Sequence, residues 1–363
     1  MSWSFQVGRL FGIPLRVHIT FLLLLAFIVW ADSHSGQDMV AGLIGAGYIA
    51  ALFACVVLHE LGHSLVARKY GVKVTHILLL PIGGVSMMER IPDDPKQEFR
   101  IAIVGPLVSI GIGVLIGLIL LATQQPLMPP PGDLLSGSGF LAKLASINIF
   151  LAFFNLLPAF PMDGGRVLRS FLAQKMDYMA ATHVAVAIGQ GMAVLFAFLG
   201  IFANPWLLLI AFFIFLGAGQ EEQQVQVRRL LRSVPVGNAM ASQFATMQPD
   251  EPLGRAVEEA MAGYQQDFPV VEGGEVVGIA SRDVLMAGLY ERGAATPLRD
   301  VMLTQFCTAR KEDSLADLYD QMSHQGCQIV VVTDETHPVG LLTPERVVQY
   351  LRYLAQHPSK GEG

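Results

Sequence analysis

The chain has 363 residues, of which 53% are hydrophobic and only 15% charged, a balance that excludes an ordinary soluble globular protein and points to a membrane protein. The formal net charge of −6 is unevenly spread: residues 221–363 carry twenty acids and twelve bases, a net of −8, whereas residues 1–220 carry ten acids and twelve bases, a net of +2. An embedded front followed by an acidic, water-soluble rear is implied, and no concentrated Lys/Arg patch speaks for a nucleic-acid partner.

Met1 to Gly12 lacks the charged start, short apolar core and small-residue cleavage site of a secretory signal, so the first apolar segment is expected to stay in the protein. Apolar runs predict six spans, at 17–31, 39–67, 99–121, 139–158, 181–202 and 205–220. Between the second and third, Val74 to Met88 is too short to cross and contains Pro81, Gly83 and Gly84, which fits a re-entrant loop or hairpin. With six crossings, Arg9, Arg16, Arg68, Lys69, Lys73, Arg90, Lys96, Arg100, Arg166, Arg169 and Lys175 share one side and Lys143 alone takes the other. The loops at 32–38 and 122–138 hold Asp32, Asp38 and Asp133 but no Lys or Arg. The positive-inside rule then predicts a multi-pass protein of the plasma membrane with both termini cytoplasmic. Arg228, Arg229 and Arg232 follow the last span, within reach of anionic headgroups of the bilayer.

The second span ends in His59-Glu60-Leu61-Gly62-His63. Residues four apart on a helix lie about 6 Å along its axis on one face, so His59 and His63 can turn two imidazoles to one metal ion while Glu60 projects beside them. Ionisable groups are costly in a spanning helix and need a partner or a cavity. A catalytic zinc takes three protein ligands and keeps one open position. The third candidate is Asp163, in Asn155-Leu156-Leu157-Pro158-Ala159-Phe160-Pro161-Met162-Asp163-Gly164-Gly165, although Pro158, Pro161 and the glycines also read as a turn where a helix leaves the bilayer. In the six-span arrangement both motifs fall at the same depth, toward the cytoplasmic ends of their helices.

Residues 1–220, with His-Glu-x-x-His at 59–63 and Asn-x-x-Pro-x-x-x-x-Asp-Gly at 155–164, resemble the site-2 proteases, intramembrane zinc metalloproteases. The resemblance implies one Zn2+ on His59, His63 and Asp163, Glu60 as general base, and Asn155 positioning substrate or steadying the oxyanion. It also likens Leu80 to Ser86 to the family's Gly-rich membrane-dipping segment, with Gly83 and Gly84 holding an extended single-span membrane substrate. Of other polar residues in this part, His18 suits interfacial anchoring or a place near substrate access, Asn148 an interhelical hydrogen bond, and His183 packing. Cys55, four residues before His59, is either a small apolar filler or an extra thiol ligand. The three cysteines, Cys55, Cys307 and Cys327, imply no disulfide framework.

Past a linker at 221–235 the chain repeats itself. Val236 to Met240 matches Leu298 to Met302, Asp267 to Val271 matches Cys327 to Val331, and Val277 to Leu285 matches Val339 to Val347. Each copy, 236–295 and 296–356, reads helix, strand, strand, helix, and 357–363 reads as a disordered tail. The pattern resembles a tandem CBS pair, a regulatory module that binds adenine nucleotides or serves as a homodimer platform. By that resemblance Ser281 and Asp283, with Thr343 and Glu345, stand nearest to ribose-contacting positions, although both copies shorten the family's Ser/Thr-x-x-Asp phrase by one residue. The expected fold is a polytopic α-helical membrane domain followed by an α/β CBS pair. A CBS-gated ion transporter is the alternative, but residues 1–220 lack the internal symmetry that transporters commonly show.

Overall fold

The structure, a computed structural model, describes residues 3–34, 39–88, 92, 94–128, 139–232, 234–263, 265–325 and 327–356. Asp38, Arg90, Asp133 and the predicted tail at 357–363 lie outside the described residues. The chain forms two compact units, Met1–Val225 and Gln226–Gly363.

The first unit opens with strands β1 (Ser4–Leu10) and β2 (Ile13–His18), turned back on each other at Phe11-Gly12, where both residues have positive φ. Helix α1 (Ile19–His34) follows directly, its start tied by Thr20 Oγ1 at 2.7 Å from His18 Nδ1, so His18 serves as a local cap. After α2 (Met39–Lys69), β3 (Val74–Leu80) and β4 (Gly83–Met88) form a second hairpin. The two hairpins make one sheet of order β1-β2-β3-β4, joined by a parallel pairing that sets Leu15 beside Ile77, and β4 is left as an edge. The segment expected to be a re-entrant loop or hairpin is therefore a β-hairpin that belongs to a larger sheet.

Helix α3 (Pro95–Ala122) begins on a strong start signal: Asp94 accepts a hydrogen bond from the Lys96 N–H at 2.9 Å, and Pro95 stands in the first turn. It packs between α2 and α4 (Phe140–Asn155). Then come α5 (Asp163–Leu172), α6 (Tyr178–Phe202) and α7 (Trp206–Arg232). Leu23, Phe27, Leu115, Leu118, Phe198, Phe202 and Phe212 face outward, as an apolar solvent requires. Among the described residues, three helical stretches, Gly42–Lys69, Pro95–Ala122 and Tyr178–Phe202, are long and apolar enough to cross a membrane; Ile19–Ala31 and Phe140–Asn155 are apolar but shorter.

In the second unit, α8 (Val236–Ala239), α9 (Leu253–Ala262), β5 (Phe268–Glu272), β6 (Glu275–Ala280) and α10 (Arg282–Arg292) form the first copy. A 3-10 turn at Leu298–Asp300, β7 (Cys307–Ala309), α11 (Leu315–Gln325), β8 (Val330–Asp334), β9 (His337–Leu342) and α12 (Pro344–Gln356) form the second. Each copy has its own core, around Leu253, Phe268 and Leu285 in one and Leu315, Val330 and Leu342 in the other. A third cluster, Ile279, Ile329, Val331 and Leu341, draws on both copies. Ala241 and Leu341 exchange backbone hydrogen bonds at 2.8 and 3.0 Å, and Ile279 and Leu303 do the same at 2.9 Å, so each copy lends its leading segment to the other's hairpin.

One expectation is corrected here. Cys307 and Cys327 form a disulfide with Cα atoms 6.3 Å apart: parallel pairing of β7 with β8 sets Cys307 opposite Val330, and Cys327 lies in the lead-in three residues before it, a proximity no cysteine spacing signals.

Candidate metal centre

The centre is built from three helices. His59 and His63 lie one turn apart on α2, both buried, and turn their Nε2 atoms inward to a separation of 3.1 Å. Asp163, the first residue of α5, brings Oδ2 to 3.2 Å from each of them. Donor atoms held on a tetrahedral zinc at its usual bond lengths stand about 3.3 Å apart, so this nearly equilateral triangle fits a zinc ion. Among the described residues, His59, His63 and Asp163 are the group of ligand-type side chains that converge in this way.

One face of α3 completes the surroundings. Ser109 Oγ lies 3.0 Å from His59 Nδ1, and the Ile101 carbonyl accepts from His63 Nδ1 at 2.7 Å, which leaves each Nε2 free to ligate and fixes the ring. Between them, at the same helical spacing, is Gly105. A Cβ built there would stand 2.1 Å from His63 Nε2 and 2.6 Å from His59 Nε2. The space an ion needs thus exists because residue 105 has no side chain. The four-residue spacing of Ile101, Gly105 and Ser109 carries its role.

Asp163 is aimed by the turn before it. Helix α4 ends on the half-buried Asn155, Pro158 and Pro161 prevent its continuation, and the chain re-enters a helix at Asp163. Gly164 packs so closely on that turn that a Cβ would fall 2.2 Å from the Leu157 carbonyl oxygen. Below, Arg169 of α5 is fully buried, with Nε 2.9 Å from Glu98 Oε1 and Nη1 2.7 Å from Glu221 Oε1, so a single guanidinium ties α5 to α3 and α7. It also stacks over Phe160 and Tyr178. Arg169, one of the bases counted for orientation, is thus an internal ion-pair partner and not a surface charge.

Glu60 projects toward the β3-β4 hairpin. Its Oε2 accepts from Ser86 Oγ at 2.7 Å and from the Ser86 N–H at 3.1 Å. Gly84 lies against the same side chain, with Glu60 Cγ 2.9 Å from where its Cβ would be, and Gly83, which opens β4 opposite Leu80 after the Pro81-Ile82 turn, has φ +143°. Cys55 is no part of the centre: it is buried with Tyr48, Ile116 and Leu144, near Asn148, which donates to the Leu144 carbonyl at 2.8 Å. His183 pairs with Glu222.

In the second unit, Ser281 is buried at the start of α10, and Thr343 Oγ1 accepts from the Arg346 N–H at 3.4 Å at the start of α12. Asp283 and Glu345 both act on Asp267, whose carboxyl is held above the ordinary range first by burial and then by these two acids, against the lowering effect of the Arg282 N–H it accepts. Two of the four residues singled out there therefore share one acidic neighbourhood.

Two buried imidazoles and a carboxylate converging within a helical membrane unit, beside a carboxylate that belongs to none of the ligands, define a metal-dependent hydrolase centre. Comparison with known proteins agrees. The model of peptidase family M50 matches residues 47–132 and 134–199, and that of the CBS domain matches 236–291 and 298–353. The chain is 39% identical to a zinc metalloprotease of Methanocaldococcus jannaschii over 280 residues, 77% of this chain and 78% of that one. It is 29% identical over 372 residues to the putative zinc metalloprotease Rip3 of Mycobacterium tuberculosis, covering 97% and 93% of the two. A solved structure of the site-2 protease from Methanocaldococcus jannaschii shares 41% identity over 61% of this chain and 95% of that chain, with a TM-score of 0.43. The chain belongs to peptidase family M50, the site-2 proteases, and is a zinc metalloprotease with a C-terminal CBS pair. The ion-transporter alternative is thereby set aside.

Proposed function

We propose that this protease cuts peptide bonds inside single-span membrane proteins, with His59, His63 and Asp163 as the zinc ligands and Glu60 as the general base. The observation that carries the reading is the triangle of ligand atoms at 3.1 to 3.2 Å, closed over Gly105 and flanked by Glu60. When bound, zinc supplies Lewis-acid polarisation of the scissile carbonyl and acidifies a water. Glu60 takes that water's proton and delivers it to the leaving amine. Asn155 donates to the developing oxyanion. A substrate helix must unwind to offer its carbonyl, and the β4 edge at Gly83-Gly84 takes it as an added strand. Full-length Glu60→Gln enzyme is expected to keep its zinc and lose cleavage of a tagged single-span peptide in detergent; cleavage at the wild-type rate would remove Glu60 from the mechanism.

We further propose six crossings in the plasma membrane with the β3-β4 hairpin re-entrant, both termini cytoplasmic, and domains at 1–220, 236–295 and 296–356 joined by a linker at 221–235. The CBS pair is assigned adenine-nucleotide binding near Ser281, Asp283, Thr343 and Glu345, and homodimer formation. The carboxylates of Asp267, Asp283 and Glu345 oppose phosphate there, which favours adenosine over ATP. Titrating adenosine, AMP and ATP into the full chain tests this: heat from none of them, or tightest binding of ATP, refutes it.

A further inference from the structure

We infer that Ser86 is a positioning residue for catalysis, holding the Glu60 carboxylate in the orientation from which it takes the water's proton; this rests on the reading of Glu60 as general base. A glutamate at the surface of a helix has three rotatable bonds and loses considerable freedom when it is fixed. Catalytic groups gain most of their effect from being fixed in advance, and a misplacement of about 1 Å can cost about 100-fold in rate. Glu60 is fixed from the β-hairpin and not from its own helix.

The hydrogen bonds run in one direction. Ser64, fully buried on α2, donates through Oγ to Ser86 Oγ at 3.1 Å. With that lone pair engaged, the Ser86 hydroxyl hydrogen has two acceptors on Glu60, Oε2 at 2.7 Å and the backbone carbonyl at 3.2 Å, and the closer Oε2 takes it; the Ser86 N–H reaches the same Oε2 at 3.1 Å. A charged acceptor makes both bonds stronger than neutral ones. Both donors meet Oε2, so Oε1 carries neither and is the oxygen left to receive a proton. β4 is an edge strand, and amides on its outer side are available to groups other than β3. The amide of Ser86 is given to Glu60. Gly84, two residues earlier on the same face of β4, lets the strand approach until Glu60 Cγ and Val56 Cγ1 touch it, which brings Ser86 within hydrogen-bond range. Ser86 touches none of the three zinc-ligating side chains in the hydrogen-bond pattern, so its effect is separable from metal binding.

The test uses full-length, zinc-loaded enzyme and a tagged single-span peptide, comparing wild type with Ser86→Ala, Ser86→Thr and Glu60→Gln. Ser86→Ala keeps the amide bond and loses the hydroxyl. It is expected to lower kcat about 10- to 100-fold, with KM within about twofold of wild type and zinc content unchanged, while Ser86→Thr regains most of the rate. A Ser86→Ala rate within about twofold of wild type overturns the inference, as does a loss matched by lost zinc or raised KM, or a Ser86→Thr enzyme no better than Ser86→Ala. Should Ser86→Ala fail to accumulate, Ser64→Ala, which removes only the donor that orients the Ser86 hydroxyl, must lower kcat several-fold at unchanged KM; a wild-type kcat there overturns the inference equally. The two readings fail separately. An active Glu60→Gln enzyme removes the general base itself, whereas an inactive Glu60→Gln beside a fully active Ser86→Ala removes only the positioning role.

Discussion

At the scale of single residues, the centre depends as much on an absent side chain as on the ligands. A methyl group at residue 105 would occupy the position where both Nε2 atoms point, 2.1 Å from one of them, and the imidazoles have no room to retreat because Ser109 and the Ile101 carbonyl hold their other nitrogens. Gly105→Ala is therefore expected to cut the zinc content of purified protein to well under half that of wild type, read by metal analysis, while the protein still inserts and is recovered as a monodisperse species. Near-normal zinc in that variant would mean that the rings can shift and that the pocket is softer than its hydrogen bonds indicate. The three converging side chains proposed as ligands were legible in the sequence because metal binding demands particular residue types at particular spacings. Gly105 was not, since a residue chosen for having no side chain has no chemical signature, and Ser86 was not, since its partner is far away in sequence and is found only once the hairpin is folded.

At the scale of elements, α5 is the piece whose placement decides whether the third ligand arrives. It is short, opens on Asp163 and is secured at its far end by Arg169 between Glu98 and Glu221. Glu98 and Arg169 are both out of contact with solvent, so removing the cation strands a buried carboxylate, and breaking a buried pair in this way costs about 3 to 5 kcal/mol. Arg169→Ala is expected to lower the melting temperature in detergent and the yield together, with Arg169→Ala/Glu98→Gln recovering part of both because the stranded charge is gone. No recovery in the double variant would place the loss on the lost pairing with Glu221 or the stacking on Phe160 and Tyr178 and not on the stranded Glu98. Among elements, the long helices were legible as apolar runs, and the repeat in the second unit as matched phrases. The β1-β2 hairpin was not: hydropathy merges Val17 and His18 into the apolar run that follows, although Phe5, Val7, Leu15 and Val17 alternate with polar or small residues on either side of Phe11-Gly12. Helix α4 stops at Asn155, short of the predicted 158, because a residue preceding proline resists helical geometry and the break spreads back from Pro158.

At the scale of the whole molecule, sequence and structure bear on the membrane in different ways. The structure brings His59 and Asp163 together, and hydropathy places each near the end of an apolar run; only the distribution of bases says which leaflet those ends face. With Arg9, Arg16, Arg68, Lys69 and Lys175 on the cytoplasmic side, as proposed above, the centre would lie near the inner leaflet and a substrate would be cut near its cytoplasmic end. The opposite orientation would require all of these bases to be translocated, each at a cost, with only Lys143 retained inside. Single cysteines in a background lacking Cys55, Cys307 and Cys327 decide between the two. Gln125 and Lys175 are both exposed and lie on opposite sides in the six-span arrangement. A membrane-impermeant maleimide added to intact cells is expected to label Gln125→Cys at once and Lys175→Cys only after permeabilisation. The reverse pattern inverts the protein and moves the cleavage position to the outer leaflet. Labelling of both in intact cells breaks the six-span count, because an even number of crossings would then lie between residues 125 and 175, where the arrangement has the single span at 139–158 that leads to Asp163.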